Sequence, residues 1–482
     1  MVSHNMRHII YGPPGTGKTY RLISRAKAYV RIGTPLDNIA YFAFTKKAAG
    51  EARDRMPADN DKLSFFRTIH SFAYDQLELN DSKVMQPSDY ETIGKEIGVK
   101  VKYYDKYNKE DINYLNCDSP YFQMIGRAIN RDISIRDEYD RGEHNKKEIK
   151  WKILKTIDDN LKEYKRVKKK LDFNDMIKQL IDKESLPRFK VIFIDEAQDL
   201  SPLQWKLFDK LKEHTDDIYL AGDDDQAIFA WAGADVDRFI SQKADREKVL
   251  KYSKRISRAV QEQSEIPIEK IEGLRKEKDY YPRDYEGECE YINNLDHVDL
   301  TTGRWVILTR TINRLVSMKK ELRERNLYYQ TKKEKSFKVR VYNAHINYNS
   351  WCRGKILDEK EWKDIEEYIG KKMEDWDPDL DWFDAFKEVE YEDKEYIREM
   401  MENGEDLDLP ARIFISTIHA FKGGEQDNII LCLDQPNKIK KAVKKSKSKS
   451  DEEHRVWYVG ITRARNNLYK LKAKKKVNAY KL

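Results

Sequence analysis

Cysteine is scarce in this chain: four residues in 482, at Cys117, Cys289, Cys352 and Cys432, with no Cys-x-x-Cys pair. Disulfide frameworks, zinc ribbons and iron–sulfur clusters all need clustered thiols, so none is expected, and the four side chains are expected to be buried as small apolar groups. No apolar run approaches the roughly 18 residues that span a bilayer, which excludes a membrane-spanning helix. With a glycine-rich stretch beginning at Gly12, no apolar leader core is expected ahead of it. An intracellular, soluble protein is expected, in the cytoplasm, or in that of a host if the source is viral. Neither charge dominates: 92 basic against 85 acidic residues leave +7. Distribution carries more than the sum. Lysine and arginine gather at Lys162–Lys170, Lys438–Lys449 and Lys470–Lys476, where a polyanion could be held, whereas Asp358–Asp393 is acidic. The Lys/Ser segment Lys438–Ser450 reads as a mobile loop, and no internal repeat is present.

A chain this long predicts about three or four compact units. Short apolar runs end in polar clusters and are followed by helix-period sequence, as buried parallel strands of an α/β domain do. His8–Tyr11, Ile39–Phe44, Val191–Ile194 and Ile218–Leu220 form one set, and Trp305–Leu308, Ile413–Ser416 and Ile429–Leu433 a second. These predict two α/β core domains with parallel sheets, 1–75 with 171–250 and 251–330 with 410–482. Each carries a mainly helical insertion: a tyrosine-rich one at 76–170, and an acidic one at 331–409 that holds Trp351, Trp362, Trp376 and Trp382.

Gly12-Pro13-Pro14-Gly15-Thr16-Gly17-Lys18-Thr19 fits G-x-x-x-x-G-K-[ST] between a strand and a helix, the context that makes a phosphate-binding loop specific. Backbone amides freed by glycine close on phosphate oxygens, Lys18 reaches the β and γ phosphates, and the Thr19 hydroxyl suits Mg²⁺. Asp195-Glu196-Ala197-Gln198-Asp199 follows an apolar run. Asp195 is placed to hold Mg²⁺ through water and Glu196 to activate the attacking water, a pairing that favours hydrolysis over transfer to a substrate hydroxyl. Asn108-Lys109-Glu110-Asp111 has the guanine-reading N-K-x-D pattern, but no apolar strand precedes it, and we read it as coincidence.

With these residues in place the chain resembles the UvrD/Rep family of superfamily 1 helicases, whose core domains are RecA-like, and the likeness follows ordered motifs across both cores. Ala43–Ala49, with Phe44 and Thr45, is similar to the family's first single-strand contact segment, and Thr68–Ser71, with His70, to the next. Leu171–Met176 resembles the D-F-x-D-[LM] element, and Gly222–Ala234 the coupling motif. The resemblance implies that Gln226 senses the γ-phosphate and that Phe229 and Trp231 offer rings to unpaired bases. It implies further that Arg255 touches the γ-phosphate, that His419 and Glu425 belong to the H-x-x-K-G-x-E segment with Glu425 on the sugar, and that Arg463 is an arginine finger. Lys18, Asp195, Glu196, Gln226, Arg255 and Arg463 are thus the expected catalytic set. Three departures stand out. With eleven residues ahead of the loop no glutamine motif is expected; Lys254 replaces the usual adenine-stacking tyrosine, a part that Tyr20 or Tyr252 is placed to take; and Ala232 stands where many relatives have arginine.

What the resemblance implies is an ATP- and Mg²⁺-dependent DNA helicase or translocase, moving 3′ to 5′ on single-stranded DNA and acting at single/double-strand junctions. It would serve repair or replication as a monomer, with ATP between the cores, Lys18 on one wall and Arg255 and Arg463 on the other. The acidic insertion is shorter than its counterpart in large relatives and should repel DNA, so a regulatory or protein-contacting role is expected of it. Alternatives are an RNA helicase, a translocase that strips proteins without unwinding, and a nucleotide-gated binding module; retention of Glu196, Gln226 and Arg463 argues against the last.

Overall fold

A computed structural model describes residues 6–101, 119–142, 149–370, 376–475 and 478–482. The Asn108–Asp111 pattern, Cys117 and Lys476 lie outside the described residues. The chain divides into two compact units: Met1–Arg255 with Ile268–Arg283 and Lys447–Val456, and Ile256–Pro267 with Asp284–Ser446 and Trp457–Leu482.

In the first unit β1 (Met6–Tyr11), β2 (Ile39–Ala43), β3 (Phe66–Thr68), β4 (Phe189–Ile194), β5 (Thr215–Gly222) and β6 (Arg246–Val249) form one sheet in the order β3-β2-β4-β5-β1-β6. All of its pairings are parallel. Successive residues of a strand face opposite sides of a sheet, and two separate cores follow from that period. Ala40 and Phe42 join Ile192, Ile194, Ile218 and Leu220 on one face, while Ile39, Tyr41 and Ala43 join Val191, Phe193 and Tyr219 on the other. Helix Lys18–Arg31 covers the second face with Leu22, Ile23 and Ala26. Helices Phe173–Asp182 and Pro202–Lys212 cover the first with Met176, Ile177, Trp205 and Phe208. Both faces are buried, so the strands read as continuous apolar runs rather than alternating ones. Helices Pro87–Ile97, Pro120–Asn130 and Trp151–Lys168 enclose a core of their own around Tyr90, Phe122, Leu154 and Leu161.

The second unit repeats the plan. β7 (Glu288–Ile292), β8 (Trp305–Thr309), β9 (Tyr329–Gln330), β10 (Ile413–Thr417), β11 (Gln426–Cys432) and β12 (Ala464–Leu471) pair in parallel in the order β7-β12-β11-β8-β10-β9. The tryptophans of the acidic insertion build its core: Trp351, Trp362 and Trp376 meet at ring centroids 5.1 to 6.4 Å apart, and Trp382 is buried against Phe386. They are packing residues, not exposed anchors. Cys432 is buried, and Cys289 and Cys352 are half-buried and free.

Two expectations need correction. Lys438–Ser450 is not a loop: helices Asn437–Lys445 and Lys447–Ile461 occupy it, divided at Ser446. Lysine and alanine are good helix formers, and the second helix is pinned where Asp451 accepts the backbone N–H groups of Glu272 and Gly273, both at 3.0 Å. Residues 251–255, 268–283 and 447–456, expected on the second core, belong to the first unit; in the first of these stretches the Lys254 N–H donates to the Gly15 carbonyl at 2.9 Å and closes the segment onto the loop.

Candidate active site

The loop after β1 begins where the strand's ladder ends and helix Lys18–Arg31 starts, so its amides face the open carboxyl edge of the sheet. Gly15 and Gly17 take φ of +74° and +86°, a region glycine enters without penalty. A Cβ on Gly15 would also lie 2.4 Å from the Arg255 Cβ and 2.7 Å from the Ser253 hydroxyl. The loop is braced from within. Thr16 donates its hydroxyl to the Pro13 carbonyl at 2.8 Å, and the hydroxyls of Ser253 and Tyr280 both donate to the Pro14 carbonyl, at 3.0 and 2.9 Å. Lys18 is buried, and its ammonium donates to the Gly12 carbonyl at 2.6 Å, which holds the cation over the loop.

Asp195 follows β4, and its Oδ2 accepts from the Thr19 hydroxyl at 2.6 Å and the Tyr41 hydroxyl at 3.0 Å. Burial, then the charge of Glu196, push its carboxyl up to about 6, against the opposing pull of both hydroxyls and Lys18. Oxygen donors in contact beside a phosphate loop are what Mg²⁺ takes, so Thr19 and Asp195 fit that ion. Bound there, it would neutralise phosphate charge. Glu196 sits at φ 56°, ψ 41°, left-handed for a residue with a side chain. Such a conformation costs about 1 to 3 kcal/mol and persists where the surroundings impose it, commonly at reactive sites. The surroundings here are Gln198, whose amide donates to Glu196 and whose carbonyl oxygen accepts the Asp223 N–H at 3.0 Å. Asp223 in turn accepts from the buried Gln226 amide at 2.7 Å. One hydrogen-bonded chain therefore joins Glu196 to Gln226.

Three residues beyond Gln226 the surface turns aromatic. Phe229 stacks on Phe44, with centroids 5.2 Å apart and planes 19° from parallel, and Trp231 lies 6.5 Å from Phe229. Phe44 and Trp231 are exposed. Beside them is a cavity of about 430 Å³ lined by Phe44, His70, Asn130, Phe173 and Phe229. His70 meets Phe173 edge-on at 5.6 Å, and burial lowers its imidazole to about 4, so the ring is neutral. Thr45 uses its hydroxyl to cap helix Lys46–Asp54, accepting the Ala48 N–H at 3.2 Å.

The two tyrosines that sequence reasoning offered for the base are both exposed. Tyr20 lies 5.8 Å from the Lys254 ammonium, and Tyr252 stacks on Tyr281 at 5.2 Å. Arg255 lies against Gly15. His419, Glu425 and Arg463 belong to the second unit. Arg463 is buried, and its guanidinium donates to the carbonyls of Val459 at 3.0 Å and Gly424 at 3.2 Å, which holds the residue next to the exposed Glu425. Burial, with the Arg310 and Lys422 cations, pulls the His419 imidazole down to about 3. Sequence reasoning missed Tyr280 and the bracing part of Ser253, the lining residues Asn130 and Phe173, and two cations, Arg275 and Lys278, bound to the acids ahead of Gln226. No local pattern marks them.

Residues 1–247 match the family model of the UvrD/REP helicase N-terminal domain, and residues 379–475 that of the UvrD-like helicase C-terminal domain. The chain is 26% identical over 395 residues to an ATP-dependent DNA helicase PcrA of Bacillus subtilis, covering 74% of this chain and 50% of that protein. A PcrA of Staphylococcus aureus is 22% identical over 396 residues, covering 75% and 51%. DNA helicase II of Haemophilus influenzae is 26% identical over 252 residues, covering 48% and 33%. The chain thus spans about half the length, or less, of these curated relatives. Among the described residues no helix is long and apolar enough to cross a membrane.

Proposed function

Because this chain belongs to the UvrD/Rep helicase family, we propose that it hydrolyses ATP to move along single-stranded DNA and to unwind duplex at single/double-strand junctions. The observation that carries the reading is the short path from the hydrolytic residues to the aromatic surface. Glu196, Gln198, Asp223 and Gln226 are hydrogen-bonded in series, and Gln226 is followed within three residues by Phe229 on Phe44. A change at the γ-phosphate that shifts Gln226 would shift the ring on which a base stacks, which is what a motor needs and a simple ATPase does not. Stacking grips any base, so weak sequence preference and strong salt dependence follow. Mg²⁺ on Thr19 and Asp195 would accompany ATP, and Tyr20 or Tyr252 would face its base.

The test is displacement of a labelled strand from duplexes carrying a 3′ or a 5′ single-stranded tail, with matched RNA as a second substrate. ATP-dependent displacement from the 3′-tailed DNA alone is expected. DNA-stimulated turnover without displacement from either tail would make the protein a stripping translocase, and preference for the RNA substrate would make it an RNA helicase.

A further inference from the structure

Asp223, Asp224 and Asp225 stand consecutively after β5, and all three are buried. Three carboxylates taken out of water would repel one another severely unless cations were built in beside them. The cations come from Arg275–Lys278, a stretch outside both family-matched ranges. The Lys278 side chain is 1% exposed; its ammonium pairs with Asp224 and lies 3.1 Å from Asp223 Oδ1 and 2.9 Å from Asp225 Oδ2. Arg275 grips Asp225 with both arms of its fork, at 3.0 and 2.8 Å, and the Lys276 N–H donates to Asp224 at 2.8 Å. Although burial acts to discharge Lys278, the three carboxylates hold it firmly protonated, and Asp225 is held below the usual carboxylate range by Lys278 and Arg275 despite its burial.

The arrangement does more than balance charge. Asp223 uses Oδ2 for the Gln226 amide, Oδ1 for Lys278 and for the Asp225 N–H at 3.3 Å, and its own N–H for Gln198. Lys278 supplies the charge, beside the Asp225 N–H, that holds one oxygen of this carboxylate, and the other oxygen sets the amide of Gln226. We propose that Lys278, supported by Arg275, is a positioning residue for ATP hydrolysis: a buried latch that orients Gln226 through Asp223 and thereby raises the rate of the chemical step. The proposal rests on the reading of Gln226 given above.

The latch predicts a loss in kcat with little change in KM, because Lys278 touches no substrate. In Lys278→Met, ATP turnover should fall roughly tenfold or more, by analogy with removal of one oriented transition-state group, while KM for ATP moves less than about twofold. Lys278→Arg should recover most of the rate, since it restores a cation to the same carboxylates. Should Lys278→Met fail to fold, Lys278→Met with Asp224→Asn restores the charge balance and carries the test. The latch requires that this double variant, folded, still turns over slowly; full turnover in it would reduce Lys278 to a counter-ion and overturn the proposal, as would wild-type kcat in Lys278→Met. Hydrogen exchange over residues 223–229 reads the latch without catalysis. Faster exchange there in the Lys278 variant is expected and unchanged exchange overturns it, whereas a wild-type protein without ATP turnover would overturn only the parent reading.

Discussion

Phe229→Ala removes one ring of the Phe44–Phe229 pair, whose centroids are 5.2 Å apart, and leaves every charge of the protein in place. Base-on-ring stacking contributes about 1 to 3 kcal/mol per base. At 1.4 kcal/mol per tenfold, one lost platform should weaken binding of a short deoxythymidine oligomer by about 5- to 150-fold. Phe229 is only half-buried, so the fold should survive the truncation. Fluorescence anisotropy of a labelled oligomer, titrated at several salt concentrations, supplies two readouts at once. The affinity should drop, while the slope of log Kd against log salt stays that of the wild type, because the phosphate contacts that set the slope are untouched. An unchanged Kd would show that the pair packs for the protein's own sake and grips no base. A lower affinity with a shallower slope would point to a lost phosphate contact instead, and would equally refute the stacking argument.

Glu196→Gln should keep nucleotide affinity and lower kcat by about 10² to 10⁴, the range for a general base, as read by steady-state phosphate release. Gly15→Ala should abolish nucleotide binding measured with a fluorescent ATP analogue, since its Cβ would meet the Arg255 Cβ at 2.4 Å in a backbone that already favours glycine. Asp451→Ala leaves the N–H groups of Glu272 and Gly273 without their acceptor. A loss of about 1 to 3 kcal/mol in stability should follow, seen as a lower denaturant midpoint, with turnover at low denaturant retained.

The parts of the site legible from sequence are those where chemistry dictates residue type at short spacing. The Gly12–Thr19 loop and the Asp195-Glu196 pair each follow an apolar strand, so strand and function were read together, and the structure puts Thr19 and Asp195 in direct contact at 2.6 Å. The pleat of β2 and β4 likewise follows from apolar runs without alternation. What escaped depends on closure between distant segments: Ser253 and Tyr280 reach the Pro14 carbonyl, and Lys278 reaches Asp224, only because Ser253 and the later stretch Ile268–Arg283 both pack with the first unit. A lysine within Arg275-Lys276-Glu277-Lys278 looks like any solvated surface lysine. Lys438–Ser450 misled for the opposite reason. Its lysine and serine content suggests a solvated loop, whereas the acceptor that pins the second helix, Asp451, lies one residue beyond the segment and its donors lie near residue 272. For Phe229, spacing alone left core packing and base stacking equally open; the structure stacks the ring on the exposed Phe44, and oligomer binding by Phe229→Ala decides between the two.

The central claim is that one loop system joins ATP hydrolysis to a grip on single-stranded nucleic acid, and ATP turnover with and without single-stranded DNA tests it most directly. Turnover by the wild-type protein should rise several-fold when DNA saturates it, and Lys18→Ala should show neither basal nor stimulated turnover while still binding the oligomer. Wild-type turnover indifferent to DNA, or undiminished turnover in Lys18→Ala, would contradict the account.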